Sequence, residues 1–255
     1  MVLRLVEDIG GCVQFVGQVF SSVRHQKVSL HSLVDQIWNV TVQSMSTTSI
    51  AGFFVGAIMT VQFTMQIQEF GALAYLGGLA TSGTIREVGP LLIAFMLSGK
   101  IGAYTSAELG TMRVTEQIDA IRCLGADPIK EIIFPRFAGI VISSFFLLGL
   151  GLVMSVWGGL FMGMFFSGIN MDEYLRYIPR IVNWGSISGG LFKCFVFSVV
   201  LASICTYKGY TTRGGAKGVG RSVVQTAVAS MVGIVVADWL TSFLMDVATQ
   251  IYLGV

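Results

Sequence analysis

Charge is what this 255-residue chain has least of: Asp, Glu, Lys and Arg together make up 12% of it, against roughly 25% in a soluble domain. A soluble domain of this length needs polar groups to cover its surface, and sixteen basic with fourteen acidic residues cannot supply them. The net charge is +2 with the bases scattered, which gives no nucleic-acid surface. Proline is held to four residues, histidine to two and cysteine to four without a C-x-x-C pair, a set that excludes a zinc or iron–sulfur centre. Cys194 and Cys205 share one apolar stretch and read as small membrane residues rather than a bridge. The G-x-x-x-x-G-K-[ST] phosphate cradle is also missing: Gly99-Lys100 is followed by Ile101, and Gly214–Gly220 lacks the lysine–hydroxyl ending. Glu7 and Asp8 interrupt the early apolar stretch, so the N-terminus does not read as a signal peptide. No apolar stretch carries a His/Asp or Ser/His pair, so neither a catalytic residue nor a metal ligand is nominated, which counts against an intramembrane lipid-modifying enzyme.

Apolar residues fill the space that charge leaves. They reach 54% of the chain, with a mean hydropathy of +0.76 and 31 glycines. A spanning helix needs about 20 apolar residues, and five stretches qualify, near Ile50–Ile67, Val88–Ala107, Phe137–Phe166, Ser186–Tyr207 and Ser222–Leu253. The third has no charge in 30 residues, about 45 Å as a helix. It must tilt, bend at Gly149/Gly151, or project from a ~30 Å core. Long continuous runs favour helices over the ~10-residue alternating strands of a barrel. The expected fold is an all-α integral membrane protein with five spans.

Residues 1–48 differ from the five-span remainder, 49–255. Leu3, Val6, Val13, Phe20 and Val23 recur at helical intervals, as do Leu30, Leu33, Val34, Ile37 and Val40 around a Ser32-x-x-Asp35 capping-box pattern. Such helices suit the membrane interface, as an elbow into the first span, or packing against their own protein.

Lys and Arg set orientation. Eleven lie on one set of flanks: Arg4, Arg24 and Lys27, then Arg113, Arg122, Lys130 and Arg136, then Lys208, Arg213, Lys217 and Arg221. Three, Arg86, Arg176 and Arg180, lie on the other. The N-terminus and the loops at 110–136 and 208–221 are therefore expected in the cytoplasm, and Val255 outside.

Charges inside spans are costly and end up paired or facing a polar cavity. Glu87, Lys193 and Asp238 form one expected group, either a functional polar patch or rearranging latch or a structural ion pair. Lys100 and Glu108 form a second toward the cytoplasm. Between spans two and three, Thr115 opens a short amphipathic helix with Ile118, Ile121 and Leu124 on one side and Glu116, Asp119 and Arg122 on the other. Gly125 and Asp127-Pro128 stop it. Met59, Phe63, Ile67 and Phe70 make one stripe at the end of the first span, which packing residues would also produce. Gly52-x-x-x-Gly56 on that helix permits close helix contact.

Several of these residues fall in a larger pattern. Arg86-Glu87-Val88-Gly89-Pro90, Gly99-Lys100-Ile101-Gly102, the run from Ala107 to Ala120, Gly125-Ala126-Asp127-Pro128, Pro135-Arg136, Gly214–Arg221 and Val236-Ala237-Asp238 resemble the signature of the MlaE/YrbE permease family over roughly residues 50–250. Lys100 departs from it, since the family usually has Arg there; charge is kept but bidentate pairing is lost. The resemblance implies an ABC-transporter permease in a bacterial inner membrane that moves phospholipids or related lipids toward or from the outer envelope. It implies a homodimer, two cytoplasmic ATPase subunits that bind the ATP, and a periplasmic MCE-domain protein. It further implies ATPase coupling at Thr115, Glu116, Asp119 and Arg122, and a lipid cavity near the dimer axis at Met59, Phe63, Ile67, Phe70 and Glu87. An energy-independent lipid channel or secondary carrier is the alternative; the coupling-type loop would then have no purpose.

Overall fold

Hydrocarbon offers no water to a backbone amide, so a spanning segment must satisfy its own hydrogen bonds. The computed structural model describes residues 2–23 and 30–253, and among these the regular structure is all helical. Arg24, Lys27 and Val255, used above for orientation, lie outside the described residues.

In chain order the helices are α1 (Val2–Val23), α2 (Leu30–Gln68), α3 (Leu76–Gly83), α4 (Gly89–Leu97), α5 (Ala103–Val114), α6 (Gln117–Cys123), α7 (Phe134–Ser167), α8 (Met171–Arg176), α9 (Ile178–Ile181), α10 (Trp184–Tyr210) and α11 (Gly215–Leu253). Five segments are long and apolar enough to cross a membrane: Leu30–Gln68, Leu73–Val114, Ile129–Ser167, Trp184–Tyr210 and Gly215–Val247. The five expected spans are these five.

Three details refine the expectation. α2 is unbroken through residue 48, so the division at 48/49 marks no break in the backbone, and the second amphipathic stretch is the start of the first span's own helix. Ser32 falls inside the first turn of α2 instead of capping it, and Asp35 faces His31 at 3.3 Å. α7 is continuous across Gly149 and Gly151, so its excess length is not taken up by a helix break.

The second span contains wide π-helical turns at Thr84–Val88 and Ser98–Gly102, and the third opens with one at Ile129–Ile133. Proline accounts for two of them. Pro90 and Pro135 have no N–H to give the carbonyl four residues back, which belongs to Arg86 and Glu131, and each of those residues lies in a wide turn.

By its contacts the chain divides into two units. The first holds Met1–Gln43, Leu97–Ser143 and Ser198–Gly233. Here α1 buries Phe15 and Val19, and Phe15 sits 5.8 and 5.3 Å from the rings of Tyr207 and Tyr210. Thr41 and Ser143 share a 3.1 Å hydrogen bond.

The second unit holds Ser44–Met96, Ser144–Phe197 and Ile234–Val255. Its core joins Ile67, Leu76, Leu160, Ile169 and Tyr174, with Phe63 packed against them. α2 and α7 meet backbone to backbone: a Cβ on Gly52 would lie 2.3 Å from the Gly151 carbonyl oxygen, and one on Gly56 1.8 Å from that of Ser155. The Gly52/Gly56 pair is thus used inside the chain. Hydroxyls such as Ser44, Thr60, Ser155 and Thr241 are buried, while Phe54, Ile58, Phe146, Trp157 and Phe161 face outward. Small polar residues inside and large apolar ones outside is the arrangement that lipid favours.

Candidate functional site

The isolated charges of the second span meet those of the fourth and fifth. Glu87 stands on the wide turn Thr84–Val88, Lys193 on α10, and Asp238 with Ser242 one turn apart on α11. The Lys193 ammonium donates to Glu87 Oε2 at 2.6 Å and to Ser242 Oγ at 2.7 Å. It also lies 3.1 Å from Asp238 Oδ1, which has no aligned hydrogen bond and is held by charge. Ser242 Oγ lies 3.2 Å from Glu87 Oε2, which closes the network. The Lys193 side chain is only 2% exposed, whereas that of Glu87 is 50% exposed. Gly190 makes the approach possible, because a Cβ there would stand 2.6 Å from the carbonyl oxygen of Ile85 at the wide turn.

A cleft of about 190 Å³ opens beside this network, lined by Arg86, Glu87, Asn183, Lys193, Ser242 and Asp246 among others. Arg86 and Asp246 face each other across 3.9 Å, both exposed. The cleft therefore presents fixed cations and fixed carboxylates within one small space. That array offers charges of both signs to whatever enters the cleft. The expected pairing of Lys193 with Glu87 and Asp238 is present. Ser242 and Asp246 were not nominated from sequence, although with Asp238 they make a polar stripe at i, i+4 and i+8 on an otherwise apolar helix.

The second expected group is arranged differently. Glu108 pairs with Arg136 at 2.6 Å, and the same guanidinium reaches Met112 Sδ at 3.4 Å. Lys100, on the wide turn Ser98–Gly102, donates to the Gln43 backbone carbonyl. The Lys100–Glu108 grouping is corrected to Glu108–Arg136, because α7 brings Arg136 to the carboxylate while Lys100 reaches the Gln43 carbonyl, which sequence spacing cannot reveal. A cleft of about 580 Å³ lined by Tyr104, Glu108, Met112, Gln117 and Arg136 adjoins it.

The expected coupling helix is α6, and Glu116 before it takes a left-handed φ of +60° that turns the chain sharply out of α5. Thr115 Oγ1 bonds the Thr111 carbonyl at 2.8 Å. Asp119 is clamped by Arg113 at 2.7 Å, and Arg122 reaches the Tyr210 hydroxyl at 3.3 Å. Ile118 is fully buried, but Leu124 is 85% exposed. Leu124 therefore does not share the buried side with Ile118, because the helix ends at Cys123 and Gly125 turns away at φ +82°. The outward surface of this element is Thr115, Glu116, Gln117, Ala120, Arg122, Cys123 and Leu124, with Asp119 half-buried.

The apolar stripe divides. Ile67 belongs to the chain's own core with Phe63 against it, Met59 is half-buried, and Phe70 lies past the end of α2 at 81% exposure. The apolar groove of this region, about 300 Å³, is on the adjacent face, lined by Phe53, Phe54, Ile58, Val61, Phe161 and Met162.

Comparison with known proteins agrees with this architecture. A probable ABC transporter permease of Synechocystis is 34% identical over 90% of this chain and 87% of its own length. The chloroplastic protein Trigalactosyldiacylglycerol 1 of Arabidopsis thaliana is 30% identical over 89% of this chain and 65% of its own. The intermembrane phospholipid transport system permease protein MlaE of Haemophilus influenzae is 28% identical over 84% and 82%. The sequence pattern of the family described as Permease MlaE matches residues 33–244, a stretch that holds the second to fourth spans whole and most of the first and fifth, and the chain belongs to that family.

Proposed function

We propose that this multi-pass permease moves phospholipid, or a closely related lipid, between the bacterial inner membrane and the outer envelope, with ATP hydrolysed by a separate subunit. The observation that carries the reading is the buried Lys193 ammonium shared among Glu87, Asp238 and Ser242 at the edge of an open charged cleft. Charges in spans cost about 2.5–3.5 kcal/mol each on insertion scales, and a purely structural pair needs no cleft. The names of the Haemophilus and Synechocystis relatives support lipid as cargo and ATP as drive.

The working unit is a homodimer in the inner membrane with the N-terminus cytoplasmic. Each copy docks an ATPase subunit on the outward face of α6 around Thr115, Glu116, Arg122 and Leu124, with Asp119 held beside that face by Arg113. A periplasmic MCE-domain protein passes the lipid on. Met59 and Phe70, with the neighbouring apolar groove, serve acyl chains where two copies meet; Phe63 and Ile67 support that surface from within.

The test is ATP-dependent transfer of fluorescent phospholipid by the reconstituted complex. Lys193→Ala should lower transfer by at least tenfold while the ATPase stays bound, and Leu124→Glu should release the ATPase. Lys193→Ala with wild-type transfer overturns the role of this cleft in transport. Transfer at full rate without ATP would instead establish an energy-independent carrier.

A further inference from the structure

The connection between α10 and α11 builds a second charged cleft, in the first unit, that the transport reading does not use. Gly214 and Gly215 both take positive φ, at +94° and +64°, and reverse the chain within a few residues. A Cβ on Gly218 would lie 1.9 Å from the Arg213 carbonyl oxygen, so the loop can fold down onto the first turns of α11 only with glycine there. This tight return gathers Lys208 from the end of α10, Arg213 from the loop and Arg221 from α11 around one cleft of about 430 Å³. Thr211, Gln225 and Asp8 are among its other polar lining residues.

The charges do not balance. Asp8 is the carboxylate in the lining, and it is taken by Lys208 at 2.8 Å. Arg213 and Arg221 are exposed and form no ion pair with a described residue. Two guanidiniums therefore face the cleft uncompensated, and the unsatisfied N–H groups of the first turn of α11 add a positive end.

The rest of the setting selects the ligand. Asp8 is on α1, and on that helix Ile9, Val13 and Phe20 share one face and are exposed at 57%, 67% and 58%, while Phe15 and Val19 are buried against the protein. An exposed apolar helix face next to an unpaired cationic cleft suits the membrane interface. A soluble phosphate or an acidic protein would have no use for the apolar half.

We infer that the Lys208–Arg213–Arg221 cleft binds the headgroup of an anionic phospholipid of the bilayer as a resident site, separate from the cargo cleft at Lys193. The orientation proposed above serves only to place it in the cytoplasmic leaflet. Its phosphodiester sits between Arg213 and Arg221, and its acyl chains run along the exposed face of α1.

The experiment uses the assembled complex in phosphatidylcholine nanodiscs carrying a trace of headgroup-photoreactive phosphatidylglycerol, with photoreactive phosphatidylcholine in a parallel arm. The readout is labelling of residues 208–225 by mass spectrometry. Phosphatidylglycerol should label this segment and phosphatidylcholine should not. Arg213→Gln with Arg221→Gln should weaken apparent binding about 25-fold, since each such charge near a membrane is worth about fivefold. Lys217→Gln, in the same loop but outside the lining, should label as wild type and shows that the loop tolerates loss of one charge. Lys193→Ala should also leave the labelling intact, which keeps this site apart from the cargo site. Equal labelling by the two lipids, or unchanged labelling of the double variant, overturns the inference. Competition by inorganic phosphate at equal concentration would make it a free-phosphate site. Loss of the ATPase from the double variant with lipid labelling unchanged would assign the arginines to a protein partner, and both results also overturn it.

Discussion

Single residues in this protein matter most where a polar group has been taken out of solvent. Lys193 is the extreme case: its partners compensate one another, so loss of one leaves the others uncompensated, a defect that commonly costs about 3–5 kcal/mol. Tyr174, on α8 between the spans, is the neutral counterpart. Its ring is 1% exposed in the core of the second unit, and its hydroxyl shares a 3.3 Å hydrogen bond with Thr60. Burial pushes the phenol above its ordinary value of 10.0, against a smaller opposing effect from the Thr60 bond. For an acid whose folded value is raised, the stabilisation is complete below the unfolded value and is lost as pH rises through it toward the folded value. Wild-type stability should therefore decline above about pH 10 partly through this group. Tyr174→Phe should cost about 1 kcal/mol at neutral pH for the lost hydrogen bond and should flatten the alkaline decline. Thermal unfolding of the two proteins across that range decides it: parallel curves would mean that Tyr174 does not titrate within the transition.

At the scale of elements, glycine decides which helices touch. Gly56 and Gly149 look alike in sequence, each a glycine within a long apolar helix. A Cβ at Gly56 would collide with the Ser155 carbonyl, whereas one at Gly149 would meet nothing within 4 Å. Gly56→Ala should destabilise by about 1–3 kcal/mol, as overpacking does. Gly149→Ala should be neutral or stabilising by about 0.5–1 kcal/mol, from the helix preference for alanine. Melting temperatures in one detergent compare them directly; equal shifts would mean that the α2–α7 contact is looser than this geometry. The same contrast shows what is legible from sequence. Five apolar runs announced five spans; Lys193 and Asp238 stood out because they sit inside such runs, and Glu87 because it opens one. The partner of Glu108 was not legible, since Arg136 comes from a helix whose rotation depends on tertiary packing. Leu124 was assigned to the wrong side because helical periodicity was carried past the residue where the helix stops. Phe63 and Ile67 carry the same stripe pattern whether they face a cavity or a core, and only packing on Tyr174 distinguishes the two.

For the whole molecule the open quantity is its direction in the membrane, and native cysteines report it without any substitution. The eleven-to-three division of basic residues between flanks is the ground for the proposed orientation, which puts the loop that ends α6 in the cytoplasm. Cys123 is exposed in that loop, whereas Cys194 and Cys205 are buried within spans and Cys12 is half-buried on α1. Burial pushes the Cys12 thiol above its ordinary 9.0, with Asp8 adding to the rise and Lys208 opposing it. Because the thiolate is the reactive form, Cys12 should react slowly near neutral pH and become faster as pH rises. A membrane-impermeant maleimide should therefore modify Cys123 rapidly in inside-out vesicles and leave it untouched in intact spheroplasts. Detergent solubilisation should add little further labelling at Cys194 and Cys205. Rapid modification of Cys123 from outside the cell would reverse the topology, and with it the side proposed for the ATPase contact at α6 and for the lipid at Arg213.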